Sequence, residues 1–234
     1  MTLYERSERV FFETYRRLPV SITTGGKGAI LIGDDGAEYI DLIGGIAVNS
    51  VGYGNQRVLS AITEQINKYL HLSNLFVQEP QVQLAEDLAT HSGYDRVFFT
   101  NSGTEAIEAA IKLCRKWGNS NGKHTLVGFS GSFHGRTMGS LSLMDREKYR
   151  KGYEPFLPDV LHLPFNDVAA LRSSVDQNTA AVFLEFIQGE GGINSAEQSF
   201  VDTLFELREK YSFLVVADER DSIGNRANGQ VLCV

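Results

Sequence analysis

From residue 97 to residue 217, short apolar runs alternate with segments of helical periodicity, and this alternation limits the fold more than any other feature. Apolar runs rich in β-branched and aromatic residues predict buried strands. Strands that alternate with helices predict a mostly parallel sheet with helices on both faces, because parallel neighbours need a long crossover connection. The predicted strands span 97–100, 125–129, 160–163, 180–186 and 213–217, and the predicted helices span about 104–117, 167–174 and 198–210.

The segment before residue 97 predicts a small β element flanked by helices. Residues 28–48 predict two or three short strands with an Asp-Asp-Gly turn at 34–36. The remainder has the apolar spacing of amphipathic helices. These helices are predicted over residues 1 to about 20, ending before Pro19, and over about 58–70 and 81–90.

The composition excludes several classes of protein. Of the 234 residues, 42% are hydrophobic, and no apolar run approaches the roughly 18 residues needed to cross a bilayer. The N-terminus is too charged for a signal peptide, so we expect a cytoplasmic protein without a membrane partner. A formal charge of −7 argues against nucleic acid, whose phosphates require a basic face. The cysteines and histidines show no metal-ligand spacing, so no metal site is predicted.

Residues 101–105 combine a turn with the start of a helix. Ser102 and Glu105 stand three apart, as in a capping box, with Gly103 and Thr104 between them. Free N–H groups at a helix start, together with the helix dipole, stabilise a phosphate, and glycine lets the anion approach the backbone. The residues therefore predict a phosphate site, although a well-capped helix without a ligand has the same pattern.

Chemically active residues follow four of the predicted strands, and parallel strands bring their carboxyl ends to one edge of a sheet. Asp218 is the most informative, because it ends an apolar run that predicts a central strand. An acid there needs a cationic or hydrogen-bonding partner. A protonated pyridine nitrogen, a helix N-terminus and an arginine all qualify, so the partner stays open. The segments after the strands are 102–104, 130–136, 185–192 and 218–219.

Six blocks occur in order along the chain: YIDLIGGIAV (39–48), HLSNLF (71–76), FFTNSGTEAIEAAIKL (98–113), GFSGSFHGRTMGSLSL (128–143), EFIQGEGG (185–192) and LVVADE (214–219). Together they resemble the class III (ω-)aminotransferases, which are pyridoxal phosphate (PLP) enzymes of fold type I. SNLF, TNSGTEA and LPFND resemble the acetylornithine/ornithine aminotransferases most. The resemblance implies transfer of an amino group from an ω-amine or amino acid to 2-oxoglutarate, in amino-acid metabolism and arginine biosynthesis.

The resemblance assigns cofactor-binding roles residue by residue. Gly103 and Thr104 would hold the phosphate of PLP through backbone N–H groups. Phe133 would stack on the pyridine ring. Asp218 would pair with the ring nitrogen and keep it protonated, which makes the ring an electron sink. The cofactor-binding residues so implied are Ser102, Gly103, Thr104, Phe133, His134 and Asp218.

Two further residues are implied on the substrate side. Arg136 would form a bidentate pair with the substrate carboxylate. Glu185 would be the acid that pairs with an arginine from the C-terminal part of the family's chain. The implied partners are a small-molecule amino donor, a 2-oxo acid and a second subunit in a homodimer, which the 71–76 block would face.

The resemblance also implies how the chain is organised. The fold class is α/β, of the PLP-dependent transferase fold type I, with a mostly parallel sheet that has helices on both faces and is incomplete at the C-terminus. Residues 1–50 would be an N-terminal segment, with a helix and a small β element, that is part of the small domain. Residues 51–219 would be a partial PLP-binding large domain, and residues 220–234 an aberrant tail.

The chain departs from the family pattern at several places. Phe186 replaces a proline, and Tyr53 and Gln56 replace the histidine and proline of Gly-His-x-x-Pro. The glutamine expected near the phenolic oxygen of PLP is absent, and no lysine follows Lys210 to form the Schiff base. Because that lysine is both covalent anchor and base, the chain alone is predicted to be inactive.

Two alternatives to a working enzyme remain open on the residues. A non-catalytic PLP-binding or dimer-interaction protein would keep the cofactor residues without the lysine. A nucleotide-binding α/β domain would use 102–104 for another phosphate, but the sequence has neither a P-loop Gly-Lys-Ser/Thr nor a GxGxxG motif.

The tail after Glu219 suggests a shifted reading frame. When the degenerate codons for Asp221 to Val234 are read from their second bases, they permit Ile-Gln-Ser-Gly-Thr-Gly-Arg-Thr-Gly-Lys-Phe-Phe-Ala. This string resembles the family's own continuation. Several junctions permit only two residues, so we interpret residues from about 220 onward as out of frame.

We expect the nucleotide sequence to contain that continuation. Resequencing the gene from the codon for Asp218 to beyond the stop should reveal a shifted open frame with a lysine in a Ser-Lys-Ala-like block. If no such frame exists, the 234-residue chain is the true product and the frameshift interpretation fails.

Overall fold

The computed structural model describes residues 1–219 and 231–233, which form two compact units, the first ending at Gln78 and the second beginning at Glu79. In the first unit, three strands form an antiparallel sheet in the order β1-β2-β3, and the Asp-Asp-Gly turn predicted at 34–36 connects β2 to β3. The elements of this unit are α1 (Leu3–Val10), β1 (Ile22–Lys27), β2 (Ile30–Gly33), β3 (Glu38–Ile40), α2 (Gly44–Ala47) and α3 (Gln56–Lys68).

The N-terminal helix is shorter than the sequence predicts. A capping box between Thr2 and Glu5 starts α1, but the backbone at Phe11 is already extended. The prediction of a helix to about residue 20 is therefore wrong beyond Val10. Helix α1 buries none of its side chains, and an isolated helix shorter than about 12 residues has little stability of its own.

Helix α3 explains why one departure from the family pattern is tolerated. Asn55 is the N-cap, and its side chain accepts hydrogen bonds from the N–H groups of Arg57 and Val58. Gln56 therefore occupies the first helical position, where proline is favoured because no intrahelical donor is lost. Glutamine at this position keeps the helix intact.

The second unit contains a five-stranded sheet in the order β10-β9-β6-β4-β5, and all its strand pairs are parallel. The predicted parallel sheet is confirmed. A separate two-stranded ribbon joins β7 and β8. The elements are α4 (Glu79–Ser92), α5 (Gly103–Ser120), β4 (Thr125–Phe129), α6 (Met138–Ser142), α7 (Glu147–Arg150), β5 (Val160–Leu163), α8 (Val168–Ser174), β6 (Thr179–Leu184), β7 (Ile187–Gln188), β8 (Asn194–Ser195), α9 (Gln198–Tyr211), β9 (Leu214–Ala217) and β10 (Val231–Cys233).

Helices cover both faces of this sheet, as the alternation predicts. Successive residues of a strand point to opposite faces, so Val182 packs in one apolar cluster and Phe183 in the other. Helix α5 supplies Ile107 and Ile111 to the cluster of Phe183, and α9 supplies Leu204 to the cluster of Val182. No helix in the described part of the chain is long and apolar enough to span a bilayer.

One strand prediction is wrong. Residues 97–100 form no strand, and Phe98 is 77% exposed. An apolar run becomes a strand only when a neighbour completes its backbone hydrogen bonds. Within residues 1–219 and 231–233, no strand pairs with this run.

The predicted domain limits stay a prediction, but the structure groups the N-terminal residues differently. The hydroxyl of Tyr53 donates to Asp41 Oδ2 at 2.6 Å, and Gly28 pairs with Tyr53 in an isolated bridge. These contacts tie residues after position 50 to the small β element. Within the predicted aberrant tail, 231–233 form β10, whereas 220–230 and Val234 lie outside the described residues.

Two substitutions on α5 test the placement of its buried face. Ile111 is 4% exposed and Leu113, two residues on, is 49% exposed. We expect Ile111→Ala to lower the free energy of unfolding by about 2–5 kcal/mol, because it leaves a cavity. Leu113→Ala should cost less than about 1 kcal/mol. Urea unfolding of both variants checks this, and equal losses would contradict the packing described.

Candidate functional site

The loop after β4, residues 130–136, meets the three other segments that the sequence singles out. Gly135 lies against Thr104 at the start of α5, since an added Cβ would be 2.3 Å from Thr104 Oγ1. His134 contacts Asp218 after β9, and the Phe133 backbone contacts Glu185 after β6. Strands β4, β6 and β9 are adjacent and parallel, so their carboxyl ends lie together.

The start of α5 offers backbone donors. Ser102 is the N-cap, and its hydroxyl accepts from the Glu105 N–H at 3.3 Å. The Glu105 carboxylate accepts from the Asn101 N–H at 2.7 Å, one residue before the cap, so only the first half of the predicted capping box forms. Within the described residues, no hydrogen-bond acceptor takes the N–H of Gly103 or Thr104.

Gly103 has no structural requirement for being a glycine. It is exposed, its φ is not positive, and an added Cβ would meet nothing within 4 Å. A glycine is useful here if an anion approaches the N–H groups of Gly103 and Thr104, because a side chain would obstruct that approach. The open, positively polarised helix start therefore fits a phosphate.

Asp218 is paired with a histidine. Its Oδ2 lies 2.8 Å from His134 Nδ1, and the Asp218 side chain is 20% exposed. His134 is buried, and its Nε2 finds no hydrogen-bond partner in the described structure. The resemblance implies that both residues bind the cofactor, but their pairing joins positions 84 apart, and no local pattern predicts it.

Phe133 and Glu185 are linked through the backbone. The Phe133 N–H donates to Glu185 Oε1 at 2.8 Å. Glu185 is only 8% exposed, and burial raises its pKa to about 6, against a smaller lowering by the Phe133 hydrogen bond. The Phe133 ring contacts the ring of Tyr149 edge to face, with centroids 5.8 Å apart.

Tyr149 also lies under Arg136, whose guanidinium carbon is 4.8 Å from the ring centroid. Arg136 itself is exposed. The sequence analysis did not single out Tyr149, because it stands in a charged segment that does not directly follow any of the predicted strands. The contact places the Tyr149 ring next to Arg136, at the end of the loop that carries Phe133 and His134.

A family model described as aminotransferase class-III matches residues 12–231. The chain belongs to the class-III aminotransferase family. The resemblance carried by the six sequence blocks, and the fold type that it implies, are confirmed.

Class-III aminotransferases named acetylornithine aminotransferase are close relatives in sequence. The one from Archaeoglobus fulgidus is 44% identical over 219 residues, which cover 94% of this chain and 57% of that protein. The mitochondrial one from Alnus glutinosa is 45% identical over 222 residues, covering 92% of this chain and 49% of that protein. The chain thus spans about half the length of the curated relatives it matches.

Solved structures agree with the family. An ornithine aminotransferase from Toxoplasma gondii superposes with a TM-score of 0.85 at 29% identity, over 92% of this chain and 52% of that one. That structure is described as having partial occupancy of PLP at its active site. An N-acetylornithine aminotransferase from Stenotrophomonas maltophilia gives a TM-score of 0.74 at 34% identity, over 92% and 53%.

Class-III aminotransferases use PLP, and the residues described fit this cofactor. The open start of α5 suits its phosphate, and the partly exposed Asp218 carboxylate suits a protonated ring nitrogen. The site thus has complementary groups for both ends of the cofactor.

The raised pKa of Glu185 predicts a pH dependence of stability. Between its ordinary pKa of 4.5 and about 6, the folded chain keeps a proton that the unfolded chain releases. Raising the pH through this window therefore destabilises the fold, by about 2 kcal/mol once Glu185 is fully ionised. Glu185→Gln should remove this loss, so its stability relative to the parent should rise by about 2 kcal/mol between pH 4.5 and 7.5.

Urea unfolding at several pH values measures that difference. The exposed Glu209 provides a control, because Glu209→Gln should keep the parent's pH profile. A Glu185→Gln variant whose profile is parallel to that of the parent would show that Glu185 is not the group responsible.

Proposed function

We propose that this chain is the cofactor-binding half of an acetylornithine/ornithine-type aminotransferase, which transfers an amino group from an ω-amine or amino acid to 2-oxoglutarate. The observation that carries the proposal is the loop 130–136, which joins the open start of α5 to Asp218 and Glu185. The 44% identity to the Archaeoglobus fulgidus acetylornithine aminotransferase supports the substrate class.

In this proposal, Gly103 and Thr104 bind the phosphate through their N–H groups, with Ser102 capping the helix behind them. Phe133 contributes an aromatic face for the pyridine ring. When bound, PLP supplies an electrophilic carbon and an electron-withdrawing ring, which stabilises negative charge left on the substrate carbon. Asp218 keeps the ring nitrogen protonated.

His134 orients Asp218 through a hydrogen bond. A carboxylate only accepts hydrogen bonds, so Nδ1 of His134 must donate, and this tautomer follows from the hydrogen-bond network. The other ring nitrogen, Nε2, is buried without a hydrogen-bond partner in the described residues.

On the substrate side, we propose that Arg136 binds a carboxylate, because it is exposed and its guanidinium lies on Tyr149. Glu185 remains the proposed partner of an arginine from the family's C-terminal part. Its contact with the Phe133 N–H also supports a role in placing the aromatic ring. A cytoplasmic homodimer, with residues 71–76 towards the second subunit, completes the proposal.

The chain by itself should not turn over substrate. The family's anchoring lysine is also the proton carrier, and none of the eight lysines follows position 210. Binding of the cofactor, by contrast, depends on residues that this chain contains.

Titration with PLP tests the proposal. The chain should bind PLP saturably, with a visible absorbance change, and Asp218→Asn should weaken binding by about tenfold or more, because a charged hydrogen bond to the ring nitrogen is lost. The exposed Asp202 on α9 is the control, and Asp202→Asn should bind like the parent. Equal affinities for the two variants, or no saturable binding by a folded chain, would contradict the proposal.

Borohydride reduction separates binding from anchoring. With equimolar PLP, treatment should leave the cofactor removable by dialysis, because the anchoring lysine is absent from the sequence. Stoichiometric covalent attachment, or measurable transamination of acetylornithine by the chain alone, would contradict the prediction that it is inactive.

A further inference from the structure

A group of hydroxyls connects the start of α5 to the segment before α6. Thr104 Oγ1 lies 2.9 Å from Thr137 Oγ1 and 2.9 Å from Ser140 Oγ. Thr137 in turn donates to Glu108 Oε1 at 2.5 Å. Glu108 stands one helical turn after Thr104 on α5, so the network starts and ends on the same helix.

The Glu108 carboxylate is held at this place by the backbone as well. Its Oε1 accepts from the N–H of Gly139 at 2.9 Å and from the N–H of Ser140 at 3.3 Å. An added Cβ at Gly139 would lie 2.3 Å from Glu108 Oε2, so only glycine leaves room for the carboxylate. One oxygen thus takes three donors and fixes the start of α6 against α5.

The direction of the hydrogen bonds determines where Thr104 points. An ionised carboxylate has no proton to give, so the Thr137 proton is used on Glu108. Ser140 donates to the backbone oxygen of Thr104 at 3.3 Å. The Thr104 hydroxyl therefore donates to Thr137 or Ser140. The side chain of Thr104 is thus part of the hydroxyl network, while its backbone N–H remains at the start of α5.

Thr104 also contacts the loop 130–136. Gly135 has a φ of +122° and so little room that an added Cβ would be 2.5 Å from Thr104 Cβ. Gly135 separates His134 from Arg136. A displaced Thr104 would therefore move the ring-binding loop relative to the phosphate-binding N–H groups.

We propose that Glu108 is a positioning residue which, through Thr137 and Thr104, sets the distance between the phosphate-binding start of α5 and the loop that binds the ring. This inference rests on the proposed function, since it assigns the start of α5 to the phosphate of PLP. Glu108 should therefore affect the affinity for ligands that contact both the start of α5 and the loop 130–136. It should have little effect on the affinity for ligands that contact only the loop.

Two ligands distinguish these cases. Pyridoxamine 5′-phosphate carries the phosphate and pyridoxamine does not, and neither reacts with lysines. We expect Glu108→Ala to weaken pyridoxamine 5′-phosphate by about tenfold or more and pyridoxamine by less than about threefold. Glu108→Gln should stay within about threefold of the parent for both, because its amide oxygen can accept the same three donors. Fluorescence titration of the parent and the two variants with each ligand measures the six affinities.

Asp167 provides the control for a purely structural effect. It caps α8, where its side chain accepts from the Ala170 N–H at 2.9 Å, and it lies outside the network. Asp167→Ala should lower the melting temperature, as Glu108→Ala does, but leave both affinities unchanged. Thr137→Val, which keeps the carboxylate and removes the bridging hydroxyl, should repeat the selective loss if Glu108→Ala does not fold.

The outcomes separate the two proposals. If the parent chain binds neither ligand, the proposed function fails and this inference with it. Suppose that the parent binds pyridoxamine 5′-phosphate. The positioning role alone is then overturned if Glu108→Ala and Thr137→Val bind this ligand as tightly as the parent does. It is also overturned if the two variants weaken the binding of both ligands by the same factor. A Glu108→Gln variant as weak as Glu108→Ala would also overturn it, because the accepting oxygen would then not be the decisive group.

Discussion

The parallel pairing of β4, β6 and β9 is the constraint on which the site depends. Side by side and in the same direction, these strands bring the loop 130–136, Glu185 and Asp218 to one edge. The apolar residues that hold this register, such as Val127, Val182 and Val215, are fully buried. A slip of one residue would exchange the faces of a strand and separate these groups, so the chemistry at the edge is tied to core packing.

Two acids at this edge have different surroundings. Asp218 is partly exposed and pairs with His134. Glu185 is buried beneath Phe133, and its pKa of about 6 reflects the cost of charging it there. The same chemical group thus contacts a histidine side chain at one position and accepts from the backbone at the other. Glu108 is a third case, since its oxygen is occupied by one hydroxyl and two backbone donors.

Much of the fold follows from local patterns. The strands predicted at 125–129 and 160–163 coincide with β4 and β5, because uninterrupted apolar runs between turn residues mark buried strands. The same reasoning failed at 97–100, which has the apolar pattern but no pairing strand in the described chain. It also failed at the N-terminus, where α1 ends at Val10. The composition of an apolar run predicts that it is buried. It does not predict which distant strand completes the backbone hydrogen bonds of the run.

By itself, the sequence determined the chemical groups and their order: a glycine at a helix start, an aromatic residue after one strand and acids after two others. It also determined the family, since six ordered blocks carry the resemblance that the comparison with known aminotransferases confirmed. Only the tertiary structure decided which groups meet. His134 pairs with Asp218 across 84 residues, and Thr104 with Ser140 across 36, because sheet register and helix packing, not local spacing, bring such distant positions within hydrogen-bond distance.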